Sequence, residues 1–563
     1  MFRRISLKYA WISIIFLILA AVLTFSGCPS PTNSNEPKDP IDTTDPADPV
    51  DPVIPPSALF SVEYNGNGNT GGSVPVDRTL YASSAHITIL GNTGNLERTG
   101  LVFAGWNTAP EGKGTFYASG SSFTIDSANA ILYALWIPNS RTFSAIDAST
   151  VNAPGSTFTY YDCPSTLLAM GEHCAVYAED FSTVTPKNAA AIADEFDRNI
   201  FGKIQDGFGK EADVDANGRV ILLLLDIKDG YKGTGAYAAG YFIPLDQFAK
   251  ITEPKSNECD MLYIDIYPSE VETPKFYQSI AHEFQHLINW SQTFPVTGTE
   301  QDTWINEGLS SGAEYMYAGT QIQWKIDYYN EDPAGTIRKG NNFFVWYGSG
   351  SWEDSNGDGF TEGDVLANYA TVYMFFQWLQ IHAGSNTGIY KAILSSTHRD
   401  YKSVTEAASA EIDVSFGDWA TLLGTWMTAN ILSTPSGFTG YGGQIAAFQR
   451  PFGNSGDATG EFNPGEGVYS MKSNEGITPP EGSGQNIRYI GIDSASGVMD
   501  WNAPYEGDMA LVLNANTNIA GEPETGYISG SGALVAGSIR PSVMSSLWAL
   551  PSSGPVDFQF PRR

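Results

Sequence analysis

The sequence predicts a multidomain protein in which a small β domain is followed by a mixed α+β domain and then by a β-rich C-terminal region. At 563 residues the chain is too long for one hydrophobic core. Short alternating strand patterns broken by Asn-Gly and Gly-Gly turns fill residues 59–137. Helical patterns and continuous apolar runs occupy residues 138–440, and glycine, serine and short β-like runs dominate residues 441–563.

The charge balance is strongly acidic. The chain has 62 acidic and 30 basic side chains, which gives a formal net charge of −32. Such a surface repels phosphate backbones, so we expect no nucleic-acid partner. The composition leaves the oligomeric state open.

The N-terminus has the pattern of an export signal. Arg3, Arg4 and Lys8 form a basic segment, and an apolar run from Tyr9 to Phe25 follows. The closing Ser-Gly-Cys resembles a bacterial lipobox, which implies that the first 27 residues are removed and that Cys28 is lipidated. An uncleaved membrane anchor is the alternative. Either hypothesis places the body of the protein outside the cytoplasm at a membrane and leaves the leaflet undecided.

Residues 28–58 are predicted to be an extended linker, because nine prolines and four Asp-Pro steps lie between Pro29 and Pro56. In a polyproline-like conformation this linker would reach about 90 Å. Beyond Cys28 three cysteines remain, which allows at most one disulfide within the chain. Cys163 and Cys174 are closest in sequence and are the predicted pair.

Three stretches within residues 59–137 resemble the internalin-type B repeat of bacterial surface proteins. They are Tyr64-Asn65-Gly66-Asn67-Gly68, Phe103-Ala104-Gly105-Trp106-Asn107 and Tyr133-Ala134-Leu135-Trp136. The resemblance implies a single small β-grasp-like domain with a role in spacing or adhesion.

The segment "ETPKFYQSIAHEFQHLINWSQ" contains a His-Glu-x-x-His pattern on a predicted helix. Thr273 is its expected N-cap, and Pro274 follows at the first helical position. His282 and His286 then lie one turn apart on one face, so both imidazoles can reach one metal ion. Glu283 can approach a metal-bound water without being a ligand. The five-residue pattern alone fits a buried helix with two core histidines equally well.

A second segment, "DTWINEGLSSGAEY", supplies a candidate third ligand. Thr303 can cap a second helix, on which Glu307 lies 21 residues after His286. Two histidines and one glutamate leave a coordination position open for water, as in catalytic zinc sites. Asn306-Glu307-Gly308 resembles the Asn-Glu signature of the gluzincin peptidases. Where thermolysin-like members place an acid one turn later, this chain has Ser311, so Glu314 becomes the candidate that orients a histidine.

These motifs together resemble the hyicolysin family of secreted bacterial zinc peptidases, and "DVDANGRVILLLLDIKDG", "AAGYFIPLDQF" and "SNECDMLYIDIY" extend the resemblance over roughly residues 140 to 440. It implies an α+β gluzincin-like metallopeptidase domain over residues 138–440 that binds one catalytic zinc ion. It also implies that Glu283 takes the proton of the zinc-activated water. Gluzincin aminopeptidases use a tyrosine of a downstream helix to stabilise the oxyanion; Tyr369 is favoured over Tyr373, His382 and His398, although an aromatic-rich helix is also typical of a core.

Two loops alternate oxygen-bearing residues as calcium loops do. Asp213 to Gly218 has this alternation but runs directly into a strand. The longer loop has Gly359 at its turn and Val365 in place of the expected glutamate. Asx turns also explain both loops without a metal. Calcium is therefore an open hypothesis, chiefly for the longer loop, whose candidate ligands are Asp354, Asn356, Asp358, Glu362 and Asp364.

The combined prediction is an exported, lipid-anchored zinc metalloendopeptidase that acts on protein or peptide substrates. An endopeptidase is preferred because no acidic motif for holding a free amine is evident. The rival hypothesis is a non-catalytic adhesin that retains the peptidase fold; the presence of all four central residues disfavours it. A third hypothesis, glycan binding by the β modules, requires exposed aromatic rows, whereas the aromatics of residues 59–137 look like core. The strand "MLYIDIY" is expected to line the cleft and to pair with an extended substrate.

Overall fold

The computed structural model describes residues 58–563 apart from several internal gaps and the last five residues, and the described residues belong to one compact unit. The predicted signal segment, Cys28, the linker up to residue 57, and Asp354, Asn356 and Asp358 lie outside the described residues. The gaps are residues 151–158, 181, 232, 234–236, 333–336, 338–361, 433–436, 446–458, 472–480, 503–505, 519–523 and 528–555.

The first described domain is a small β domain built around Trp106. This side chain is fully buried, its ring centroid lies 4.6 Å from that of Tyr64, and its Nε1 donates to the carbonyl of Leu90 at 2.7 Å. Tyr64 and Trp106 thus belong to the core of this domain, and Phe103 and Trp136 pack against it. The strands are β1 (Leu59–Phe60), β2 (Val62–Asn65), β3 (Tyr81–Ala82), β4 (Ala85–Thr88), β5 (Leu101–Asn107), β6 (Phe116–Tyr117), β7 (Ser122–Ile125) and β8 (Ala130–Pro138), with a four-stranded sheet in the order β2-β8-β5-β6.

A seven-stranded mixed sheet follows. Its strands in chain order are β9 (Ser140–Asp147), β10 (Thr159–Met170), β11 (Cys174–Glu179), β12 (Val220–Leu225), β13 (Ala238–Tyr241) and β14 (Met261–Asp265), and the strand Val556–Phe558 joins from the C-terminal region. The sheet order is Val556–Phe558, β13, β14, β12, β11, β10, β9. The strands β11, β12 and β14 run parallel, and β13 runs antiparallel to β14.

Both faces of this sheet are buried, which explains the uninterrupted apolar run of β12. Because side chains alternate along a strand, Val220, Leu222 and Leu224 pack into the helical core, whereas Ile221 and Leu223 pack into the cluster on the opposite face. The sequence prediction of buried strands is confirmed here. The prediction that the β14 strand pairs with substrate is wrong, because β12 and β13 already occupy its two edges.

Helices form the middle of the chain. Thr185 caps the first of them through a reciprocal hydrogen-bond pair with Asn188, and this helix continues through a π-helical turn, Phe196–Phe201. The helices are α1 (Pro186–Glu195), α2 (Gly202–Phe208), α3 (Pro274–Thr297), α4 (Thr303–Ala318), α5 (Gln323–Glu331), α6 (Glu362–His382), α7 (Gly388–Ser395), α8 (Tyr401–Glu411) and α9 (Trp419–Ala429). Among the described residues, no helix is long and apolar enough to cross a bilayer.

The predicted disulfide between Cys163 and Cys174 is wrong. In the β10–β11 hairpin Ser165 lies opposite Glu179 and Met170 lies opposite Ala175, so Cys163 is at the open end and Cys174 at the turn. This register separates them by about eight residues, or roughly 25 Å, along the strand, far beyond the reach of a disulfide. Cys163, Cys174 and Cys259 are all free thiols.

The C-terminal region is β-rich, as predicted, and packs on α9. The hydroxyl of Tyr469 donates to the carbonyl of Met427 at 2.6 Å. An antiparallel sheet in the order β16-β19-β17-β18 is accompanied by the pair β15-β20. The strands are β15 (Thr459–Phe462), β16 (Gly467–Met471), β17 (Ile487–Ile492), β18 (Met499–Asp500), β19 (Met509–Asn514), β20 (Glu524–Tyr527) and β21 (Val556–Phe558), the last of which belongs to the central sheet.

Candidate metal centre

Helix α3 holds the two motif histidines in the core. Thr273 caps the helix by accepting a hydrogen bond from the amide of Phe276 at 3.2 Å, and Pro274 occupies the first position as the sequence predicted. His282 and His286 follow one turn apart, with ring centroids separated by 4.8 Å. His282 is fully buried and His286 is 3% exposed, so both imidazoles face the interior of the protein.

Helix α4 packs against α3 and brings Glu307 to the same point. Its N-cap position is Asp302 rather than the predicted Thr303, which is the first helical residue. Glu307 Oε2 lies 3.2 Å from Nε2 of His282 and 3.8 Å from Nε2 of His286. Ligands held at 2.0–2.2 Å by a tetrahedral zinc ion are about 3.4 Å apart. The spacing and the nitrogen-nitrogen-oxygen donor set therefore fit zinc.

Glu314, two turns after Glu307 on α4, contacts His282 and orients its ring. Its Oε1 lies 2.7 Å from Nδ1 of His282. A carboxylate at this distance favours the tautomer with hydrogen on Nδ1, which leaves the lone pair of Nε2 directed at Glu307 and the metal position. Lys325 on α5, which the sequence analysis missed, donates to the same Glu314 oxygen at 2.6 Å and to Ser311 Oγ at 2.8 Å.

Two polar side chains of α4 contact Nδ1 of His286, as Glu314 contacts Nδ1 of His282. Asn306 Oδ1 lies 3.1 Å from Nδ1 of His286, and Ser310 Oγ lies 3.0 Å from the same nitrogen. Ser310 also donates to the side-chain oxygen of Gln285. The sequence analysis named Asn306 but not Ser310, although Ser310 follows Asn306 by one helical turn and shares its face.

Glu283 lies against the sheet rather than among the three candidate ligands. A Cβ placed on Gly240 of β13 would lie 2.9 Å from Cγ of Glu283 and 3.0 Å from the carbonyl of Tyr263. Only glycine leaves room at this position for the fully buried Glu283 side chain. The backbone of β13 therefore sets the position of this carboxylate.

The charges of the described residues around the site also fit a divalent ion. Glu283, Glu307 and Glu314 are at most 5% exposed, and Lys325 is 1% exposed. Three buried carboxylates beside one ammonium group leave an excess of two negative charges, which is costly in the protein interior. A divalent cation held by two neutral histidines would balance them.

Tyr369 on α6 also borders the site. Its ring centroid lies 6.4 Å from that of His282, and the Lys325 ammonium lies 5.7 Å from the Tyr369 ring. The hydroxyl of Tyr373 contacts Gln321 and the amide of Ile322, at 2.6 and 2.7 Å. The Tyr369 ring therefore lies beside His282, as expected for the candidate tyrosine, whereas Tyr373 contacts the start of α5.

The two alternative histidines lie elsewhere. His382 Nε2 is 2.8 Å from the carbonyl of Gly440, and His398 pairs with Glu406 at the surface. Of the predicted calcium ligands, Glu362 and Asp364 belong to the first turn of α6, and the rest of that loop lies outside the described residues.

Comparison with known proteins finds similarity to a repeat domain and to a metalloprotease. The Listeria-Bacteroides repeat domain matches residues 60–135, within the range of the predicted repeat. The chain is 31% identical over 261 residues to the neutral metalloprotease ShpI of Staphylococcus hyicus, which covers 45% of this chain and 55% of that protein. It is also 33% identical over 78 residues to a putative Gly-rich membrane protein of Evansella cellulosilytica, which covers 14% of this chain and 9% of that protein. The chain thus spans about half the length of the first relative and a small part of the second.

Proposed function

We propose that the protein is an exported zinc metalloendopeptidase, anchored to the membrane through a lipid on Cys28. The observation that carries this proposal is the convergence of His282, His286 and Glu307 on one point, with their ligand atoms within 4.8 Å of one another. Its similarity to a neutral metalloprotease supports the same reaction class. The hydrolysis of peptide bonds in protein substrates follows from this class.

A zinc ion bound at this point would supply Lewis-acid chemistry for peptide hydrolysis. His282, His286 and Glu307 would hold the ion, and Glu314 and Asn306 keep the two imidazoles in the required orientation. Glu283 accepts a proton from the attacking water and delivers it to the leaving amine. Tyr369 donates a hydrogen bond to the oxyanion that develops on the substrate.

A non-catalytic adhesin that retains this site is the second candidate, and the repeat domain at residues 60–135 favours it. The two candidates differ in one measurable property, which is turnover. Zinc content and the hydrolysis of casein, an unstructured protein, separate them. The proposal predicts one zinc ion per chain and steady release of casein fragments. One zinc ion per chain without any cleavage would support the adhesin.

The variant His286→Ala tests whether the three proposed ligands bind zinc. Removal of one imidazole is expected to abolish both zinc binding and cleavage, whereas His398→Ala, which changes a surface histidine paired with Glu406, leaves both intact. Full zinc binding by the His286→Ala protein would contradict the proposed site.

A further inference from the structure

A second acidic cluster lies at one edge of the central sheet and shares no residue with the candidate zinc site. The loop Asp213–Gly218 leads into β12, and Asp260 immediately precedes β14. These parallel strands begin side by side, because the amide of Ile221 donates to the carbonyl of Asp260 at 2.8 Å. One carboxylate oxygen from each of Asp213, Asp215 and Asp260 lies within 4.8 Å of the other two.

Hydrogen bonds from the loop hold each of these carboxylates in place. Each has one oxygen fixed by a hydrogen-bond donor of the loop, which leaves its second oxygen for another partner. The donors are the amide of Gly218 to Asp213 at 3.0 Å, the side chain of Asn217 to Asp215 at 2.6 Å and the amide of Val214 to Asp260 at 2.6 Å.

The second oxygens of two of these carboxylates are suited to bind a cation. Asp260 is 1% exposed, and its Oδ1 is buried without a hydrogen-bond donor in the part of the chain that the structure describes; the same holds for Oδ1 of Asp215. A buried carboxylate oxygen without a donor is costly unless a cation binds it.

The ligand atoms and the distances between them indicate which ion binds here. Calcium takes oxygen ligands at 2.3–2.6 Å, so two ligands of one ion are at most about 5 Å apart. All three carboxylates meet this limit, and the all-oxygen set disfavours zinc. The loop also has the Asp-x-Asp-x-Asn-Gly spacing of a calcium loop. Its twelfth position is Leu224, which is buried in β12, and Asp260 from the neighbouring strand supplies the carboxylate that is missing there.

We propose that Asp213, Asp215 and Asp260 bind one calcium ion. The ion joins the starts of β12 and β14 beside the repeat domain, because the guanidinium of Arg219, the residue after the loop, lies 4.6 Å from the ring centre of Phe116. Calcium thus stabilises the junction between the repeat domain and the central sheet. This inference does not depend on peptidase activity.

Equilibrium dialysis of the zinc-loaded protein against radioactive calcium, in buffer freed of other divalent ions, tests the proposal. The wild-type protein is expected to bind calcium with a dissociation constant of roughly 0.1–1 mM, as extracellular calcium modules do. Asp260→Asn and Asp215→Asn are each expected to bind one calcium ion fewer or to bind it at least 10-fold more weakly. Asp246→Asn is the matched control, because Asp246 is equally buried but its two oxygens are hydrogen-bonded to Asn257 and Tyr263.

Zinc content and circular dichroism establish that each variant is folded, and either aspartate variant suffices if the other does not fold. Calcium is also expected to raise the thermal midpoint of the wild type and of Asp246→Asn but not of Asp260→Asn. Unchanged calcium stoichiometry and affinity in the two site variants would overturn the proposal. Equal binding of magnesium at the same concentration would overturn the assignment to calcium.

Discussion

Glu314 Oε1 lies between two partners, 2.7 Å from Nδ1 of His282 and 2.6 Å from Nζ of Lys325. The lysine and the carboxylate are both buried, so the pair is screened little by solvent. This arrangement fixes the carboxylate, which in turn fixes the imidazole. A residue from a third helix therefore supports the candidate metal centre without contacting the metal position.

Glu314→Gln is expected to weaken zinc binding by 10- to 100-fold, because loss of the carboxylate partner makes His282 a poorer and less well-oriented ligand. Glu406→Gln is the matched control, since it removes a carboxylate from an exposed histidine, His398. Competition with a chromogenic zinc chelator measures both affinities. Equal affinity in the two variants would show that Glu314 does not support the ligand.

Tyr369→Phe is expected to lower kcat for a peptide substrate by about 100-fold, with unchanged zinc content, because one oxyanion donor is lost. Tyr373→Phe is expected to keep kcat but to lower the free energy of unfolding by about 1–3 kcal/mol, because the amide of Ile322 loses its buried acceptor. Steady-state kinetics and urea unfolding distinguish these effects. A loss of kcat in Tyr373→Phe alone would reverse the assignment.

Gly240→Ala is expected to reduce kcat more than zinc affinity, because the added methyl group meets Cγ of Glu283 rather than a candidate ligand. Gly91→Ala provides a control, since a Cβ there makes only ordinary contacts of 3.5 Å or more with Ser119. Peptide hydrolysis and zinc content are measured on both. Unaltered hydrolysis by Gly240→Ala would show that Glu283 has room to move.

Asp246 is expected to make stability depend on pH. Burial raises its pKa to about 7, so the stability associated with its protonated form is present below about pH 4 and is lost as the pH rises through 7. Relative to Asp246→Asn, the wild type should lose on the order of a few kcal/mol between these limits. Urea unfolding from pH 4 to 8 gives this difference.

Asp413 is expected to show the opposite dependence of stability on pH, and Asp413→Asn tests this expectation. Hydrogen bonds from Ser415 lower the pKa of the exposed Asp413 carboxylate, so its contribution to stability is lost on acidification instead. Equal pH profiles for the wild type and Asp246→Asn would contradict the account of Asp246.

Local signals predicted much of the site. The Thr273 cap and the spacing of His282 and His286 depend on neighbours within one helix, and the Asn-Glu pair identified Glu307. Lys325 and Asp260 escaped prediction because each reaches its partners across the fold, 11 residues from Glu314 in one case and 46 residues from Val214 in the other. The disulfide prediction was wrong for the same reason, since closeness in sequence does not show the register of a hairpin.

The most direct test of the central claim compares the wild-type protein with Glu283→Gln for zinc content and casein hydrolysis. The account predicts one zinc ion per chain in both proteins and a loss of 100- to 10,000-fold in the hydrolysis rate of the variant, because only the general base is removed. Equal hydrolysis by both zinc-loaded proteins, or a wild type that binds no zinc, would contradict it.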